Sequence, residues 1–138
     1  MTKDQIALVQ ATFEQAVPLA DELSIRFYRR LFEIAPATRA MFPEDMAEQR
    51  KKLVTMLAFL VRGLQQPELL VQPMKNLGAR HVAYRVESDH YDAVGQALLH
   101  TLSDMFGDLF TAEAREAWAA AYALISATMR EGSMAEAA

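Results

Sequence analysis

The chain has 138 residues, with 14 Lys and Arg against 18 Asp and Glu, a formal charge of −4 whose signs are mixed along its length. That size fits a single domain, taken as residues 1–138, and 52% hydrophobic residues suffice for a sizeable core. The basic residues are not clustered as a nucleic-acid face requires, and no apolar run approaches the roughly 18 residues of a membrane span. Cysteine is absent, which excludes disulfides, thiol catalysis, iron–sulfur clusters and CxxCH haem attachment. With no secretory signal in view, the expectation is a soluble cytoplasmic protein with no nucleic-acid or membrane partner.

Five glycines and five prolines are few for this length, and the abundant Ala, Leu, Met, Gln, Glu and Arg favour helix. Thr2 and Gln5 form a capping-box pattern that opens a helix with the apolar stripe Ile6, Val9, Phe13 and Ala16. Pro18 suits the first turn of a second helix carrying Leu23, Phe27, Leu31 and Ile34, and Pro36 starts a short third one ending near Phe42. The face Gln49, Leu53, Met56, Leu57, Leu60 and Leu64 predicts a helix from about 45 to 65. A loop through Leu69 to Val71 then leads to a short helix after Pro73, containing Leu77, Gly78 and His81. Ser88 or Asp89 is the expected cap of the next helix, which Gly107 closes. Thr111 caps the last, which runs to Gly132 and leaves 132–138 as a frayed tail. These are about seven unequal helices with short corners, an all-α pattern closer to globin packing than to a four-helix bundle.

Glycines at 63, 78, 95, 107 and 132 form neither GxGxxG nor GxxxxGK, and HExxH and GxSxG are missing. Of three histidines, His90 sits between acidic residues and His100 follows a leucine pair, whereas His81 extends an apolar stripe. An imidazole there needs a hydrogen-bond partner or a metal, and the residue alone leaves both open. Phe42 reads equally as plain core, Tyr28 as a core tyrosine bonded to a carbonyl, and Gln49, among charged residues, as a solvated face.

Several strings in order carry more. They are Phe27-Tyr28-x-x-Leu31-Phe32, Pro36, Phe42 and Glu48-Gln49-x-Lys51-x-Leu53, followed by Leu77-Gly78-x-Arg80-His81. His90-Tyr91-x-x-Val94-Gly95, Leu98-Leu99 and Ala117-Trp118-x-x-Ala121-Tyr122 complete the set. Over about residues 4 to 131 the chain resembles the single-domain bacterial haemoglobins and the globin domain of flavohaemoglobins. The resemblance implies an all-α globin fold around a haem pocket, with His81 the proximal iron ligand. It places Tyr28 and Gln49 over the distal ligand, Phe42 on the haem edge, and Leu53, Leu77, Val86 and Val94 on the pocket walls. Tyr91 matches a proximal tyrosine hydrogen-bonded to the histidine. One or two of Arg50, Lys51, Lys52, Lys75, Arg80 and Arg85 are expected to pair the haem propionates.

The chemistry agrees with such roles. Haem is a flat apolar plate that needs one imidazole, apolar walls and room for a gas. Gln49 and Leu53, four apart, share one helix face. A phenol O–H and an amide N–H can both donate to O2 polarised on iron.

The implied function is reversible binding of O2, NO and CO at a non-covalent haem b. O2 scavenging or storage, or NO detoxification by NO dioxygenation with an external reductase, would follow. Two other classes stand beside it: a haem-based gas or redox sensor, and a haem-free helical interaction module. A monomer or weak homodimer is expected. The chain departs from the family at one point. The position that should hold a proximal glutamate is Ser133, while Glu131 lies two residues earlier, about 200° around a helix. Unless Gly132 ends the helix and lets Glu131 adapt, His81 is expected to be a neutral ligand, with weak peroxidase-like activity and a bias toward holding O2.

Overall fold

The computed structural model describes residues 1–83 and 85–137. Helix α1 spans Lys3–Ala16 and starts with the expected capping box, in which the Thr2 hydroxyl accepts from the Gln5 N–H and the Gln5 amide oxygen from the Thr2 N–H, both at 3.0 Å. A 3-10 turn at Val17–Leu19 holds Pro18, so this proline precedes helix α2, Ala20–Ile34, instead of opening it. The short third helix is the 3-10 segment Pro36–Met41.

Helix α3 spans Ala47–Gly63 and is followed by a 3-10 turn at Pro67–Leu69. Helix α4, Val71–Ala83, begins earlier than expected, because Pro73 is accommodated in its first turn, where no N–H is needed. Helix α5, Ser88–Phe106, is capped by Glu87 and not by Ser88 or Asp89. The Glu87 carboxylate accepts from the His90 backbone, and the His90 Nδ1 accepts from the Glu87 N–H at 2.9 Å. Gly107, at φ 54°, closes α5 in a conformation suited to glycine.

Helix α6 spans Ala112–Ala137, with the Thr111 hydroxyl accepting from the Ala114 N–H at 3.1 Å. It runs through Gly132, so the segment expected to fray is helical as far as Ala137. Ala138 lies outside the described residues. Among the described residues there are six α-helices and no strand.

Val9, Phe13, Leu23, Phe27, Leu64, Leu102 and Trp118 belong to one continuous buried core. Helix α4 lies along α6, and α2 lies along α5. The α4–α6 crossing is a backbone contact. A Cβ on Gly78 would sit 1.8 Å from the Met129 carbonyl oxygen, and one on Gly132 would sit 2.0 Å from that of Lys75. Each helix gives one glycine to the other's backbone, and this brings α6 close behind His81.

Candidate functional site

Helices α2 and α3 bring Tyr28 and Gln49 together. The Gln49 amide Nε2 donates to the Tyr28 hydroxyl oxygen at 3.1 Å. Tyr28 is buried in an aromatic wall, with its ring 5.1 Å from Phe27, 6.0 Å from Phe32 and 5.5 Å from Phe42, centre to centre. Burial pushes the Tyr28 pKa above its ordinary 10.0, and the Gln49 hydrogen bond opposes this only in part. The phenol therefore keeps its proton at neutral pH.

Arg39 fixes the turn that presents Phe42. Its guanidinium donates to the carbonyls of Phe42, Pro43 and Glu44 at 3.3, 3.0 and 3.2 Å and stands 5.3 Å over the Phe32 ring. Sequence reasoning did not single out Arg39. Its spacing of three from Phe42 fits the contact, but an arginine among polar residues reads as solvated.

On α4, His81 is half-buried, and its Nδ1 lies 3.4 Å from the Tyr91 hydroxyl of α5. Burial and then the neighbouring Arg80 charge lower the imidazole pKa below 6.5, so the neutral form is favoured. The Tyr91 hydroxyl is 3.1 Å from Ser133 of α6, and Ser133 donates to the Gly78 carbonyl at 2.8 Å. Tyr91 is held from two further sides. Its ring lies 5.1 Å beneath the Arg130 guanidinium, and its carbonyl accepts from the Tyr122 hydroxyl, whose ring covers Gly95. Glu131 takes no part in this network. It faces outward and pairs with Lys75 at 3.8 Å, both side chains being exposed.

Phe42, Leu53, Leu77, Val86 and Val94 are half-buried and pack against the core. They are apolar faces in an environment only partly closed. Among the described residues no three His, Asp or Glu side chains converge as a metal site would need. A metal at His81 must therefore bring other ligands with it. A porphyrin does so, and one neutral imidazole with apolar walls and a phenol–amide donor pair fits a haem.

The family model for globins matches residues 25–129. The chain belongs to the globin family. This globin is 30% identical over 119 residues to a flavohaemoprotein of Bordetella pertussis, covering 84% of this chain and 30% of that one. A flavohaemoprotein of Vibrio cholerae is 25% identical over 139 residues, covering 97% and 35%. An anaerobic nitrite reductase of Solanum lycopersicum is 30% identical over 152 residues, covering 99% of this globin and 97% of the plant protein. The chain thus spans about a third of the length of these flavohaemoproteins. Membership implies haem binding, and no helix among the described residues is long and apolar enough to cross a membrane.

Proposed function

We propose that this globin holds haem b without covalent attachment, with His81 as the iron ligand, and binds O2, NO and CO in the pocket of Tyr28 and Gln49. The haem supplies an iron that takes a diatomic ligand and exchanges an electron. Phe42, Leu53, Leu77, Val86 and Val94 would wall the plate and exclude water. The observation that carries the reading is the Gln49–Tyr28 bond of 3.1 Å inside an aromatic wall. With its oxygen accepting from Gln49, Tyr28 has its proton to donate to a polar ligand. O2 gains from such a donor and nearly apolar CO does not, so the pocket favours holding O2 tightly.

Tight holding suits O2 scavenging or NO dioxygenation, in which NO, O2 and one electron give nitrate. Residues 1–138 carry no dinucleotide-binding loop, so that electron comes from a reductase outside them. A second reading is favoured by the near full-length match to a plant protein named as a nitrite reductase. On that reading this globin would turn nitrite, two protons and one electron into NO and water, with Tyr28 and Gln49 donating to nitrite.

Haem titration tests the core of the proposal. Wild type should take up one haem with a Soret band, and His81→Ala should lose affinity or change the spectrum of the ferrous form. A folded protein that takes up no haem would falsify it. Reduced protein exposed to O2 with NO, or to nitrite without O2, separates the two readings by whether nitrate or NO accumulates.

A further inference from the structure

The formal charge of −4 hides an uneven division between elements. Residues 50–85 hold seven of the 14 Lys and Arg and one of the 18 Asp and Glu, a net of +6, so the rest of the chain carries −10. Helix α4 contains no acidic residue, and α3 has only Glu48 in its first turn, 3.8 Å from Lys51. Among the described residues Arg50, Lys52, Arg62, Arg80 and Arg85 form no ion pair, whereas Arg26, Arg30 and Arg130 on α2 and α6 each meet a carboxylate. Spread thinly along the sequence, the surplus cations are gathered by the fold onto the two helices that carry Gln49 and His81 and onto their ends.

On α3 the exposed residues Lys52, Thr55, Phe59 and Arg62 follow at intervals of three and four and form one stripe. It lies roughly a third of a turn around the helix from Gln49, Leu53 and Met56. Phe59 is 45% exposed, an aromatic ring between two cations, which is the composition of a protein contact.

We propose that the outer faces of α3 and α4 dock an acidic electron-donor protein, one whose carboxylates surround its redox centre. The proposal rests on the haem reading above, which takes one electron from outside residues 1–138. The donor's reduced centre gives up that electron, and the ferric iron accepts it. A partner held on the two helices that carry Gln49 and His81 is a partner held beside the proposed pocket. The division of charge steers it there, since +6 beside −10 attracts a compact acidic face on one side and repels it on the other. An extended polyanion, such as a nucleic-acid duplex or a lipid sheet, also meets the acidic remainder, which favours a protein with an acidic face of limited size.

Amide chemical shifts of labelled protein, titrated with an oxidised acidic flavodoxin at low salt, map the surface with no electron passing. Changes should fall on α3 from Arg50 onward and on α4, and should vanish at high salt. Thr55→Glu and Arg62→Glu should each weaken the complex several-fold. Arg115→Glu changes the net charge as much as Arg62→Glu but lies on α6 between Glu113 and Glu116, and should leave the complex nearly unchanged. In haem-loaded ferric protein, reduction by the reduced flavodoxin should slow by about tenfold or more from low salt to roughly 0.5 M, while reduction by a small uncharged flavin should not. Shift changes on α5 or α6, no shift changes, or equal effects of Arg115→Glu and Arg62→Glu overturn the proposal. So does a salt-independent reduction rate, or tighter association with duplex DNA or anionic vesicles than with the flavodoxin at the same salt. The shift map needs no haem, so docking on α3 and α4 in a protein that takes up none would leave the surface standing and sink the haem reading instead.

Discussion

Tyr28 and Gln49 stand on different helices, yet the amide of one ends on the hydroxyl of the other, so the phenol proton is not spent on Gln49 and, in the proposed reading, is the donor to the ligand. Removing that proton in Tyr28→Phe should speed O2 release by about tenfold to a hundredfold, the loss of roughly 1.5–3 kcal/mol for a good donor in a dry site. CO release should hardly change. Gln49→Leu should have a smaller effect, since Gln49 orients the phenol. Laser photolysis and ligand-replacement kinetics on both variants check this, and equal O2 release in Tyr28→Phe and wild type would remove Tyr28 from the ligand. His81 gives a second test. Burial and Arg80 lower its folded pKa below the 6.5 of the unfolded chain, so the unfolded state binds a proton more readily. The haem-free protein should therefore hold its full His81 contribution above about pH 6.5 and lose stability as pH falls below it. Urea midpoints of wild type and His81→Leu, compared from neutral to mildly acidic pH, should show wild type falling relative to the variant on the acid side, and a difference independent of pH would remove the His81 term. Taken singly, Tyr28 reads as a core tyrosine and His81 as a histidine on an apolar stripe, so it was the resemblance and not the residue that pointed to the Tyr28–Gln49 and His81–Tyr91 contacts. Arg39 was not legible, because its three carbonyl partners come from the chain's turn after Met41 and leave no residue-type pattern.

Helix boundaries followed the sequence where a side chain caps its own backbone, as at Thr2 and Thr111, and slipped where geometry is set by a neighbour. Pro73 does not delay α4, and Glu87 with His90 outcompetes Ser88 as a cap since two bonds form at once. Gly132 reads locally as a helix end. Its actual reason is the crossing with Lys75, which lies two helices earlier in the chain and is invisible to periodicity. This makes a prediction about the pair of elements. An added methyl at 132 would meet a backbone carbonyl at 2.0 Å, and at 78 one at 1.8 Å, which no rotamer change relieves. Gly132→Ala or Gly78→Ala should destabilise the protein by about 3 kcal/mol, the upper end for overpacking, by chemical denaturation. Since the helices must separate, the same variants should also disturb the Ser133–Gly78 hydrogen bond and the Tyr91–Ser133 link. A Gly132→Ala protein as stable as wild type would show that the crossing is looser than described.

At the scale of the molecule, the ion pairs are surface contacts between largely exposed side chains, such as Arg26 with Glu22 and Lys75 with Glu131, and each contributes little. Stability rests on the buried core, against which partly buried apolar side chains pack. Phe42, Leu53, Leu77, Val86 and Val94 come from the segment after α2, from α3, α4 and α5, and from the turn between the last two, and all remain half-buried while packing inward. Leu53, Leu77 and Val94 lie on apolar helix stripes legible in the sequence, whereas Phe42 and Val86 lie outside the α-helices, and only the packed chain shows that they too turn inward. Haem bound against these five, as proposed above, would bind the folded chain in preference to the unfolded one and so raise stability by mass action. With free haem at roughly a thousand times its dissociation constant the gain is about 4 kcal/mol. The urea midpoint of the haem-loaded protein should accordingly lie well above that of the haem-free form and rise with excess haem. In His81→Ala the shift should shrink, because the plate then keeps only its apolar contacts. A midpoint indifferent to haem in wild type would mean that the half-buried side chains are not the walls of its pocket.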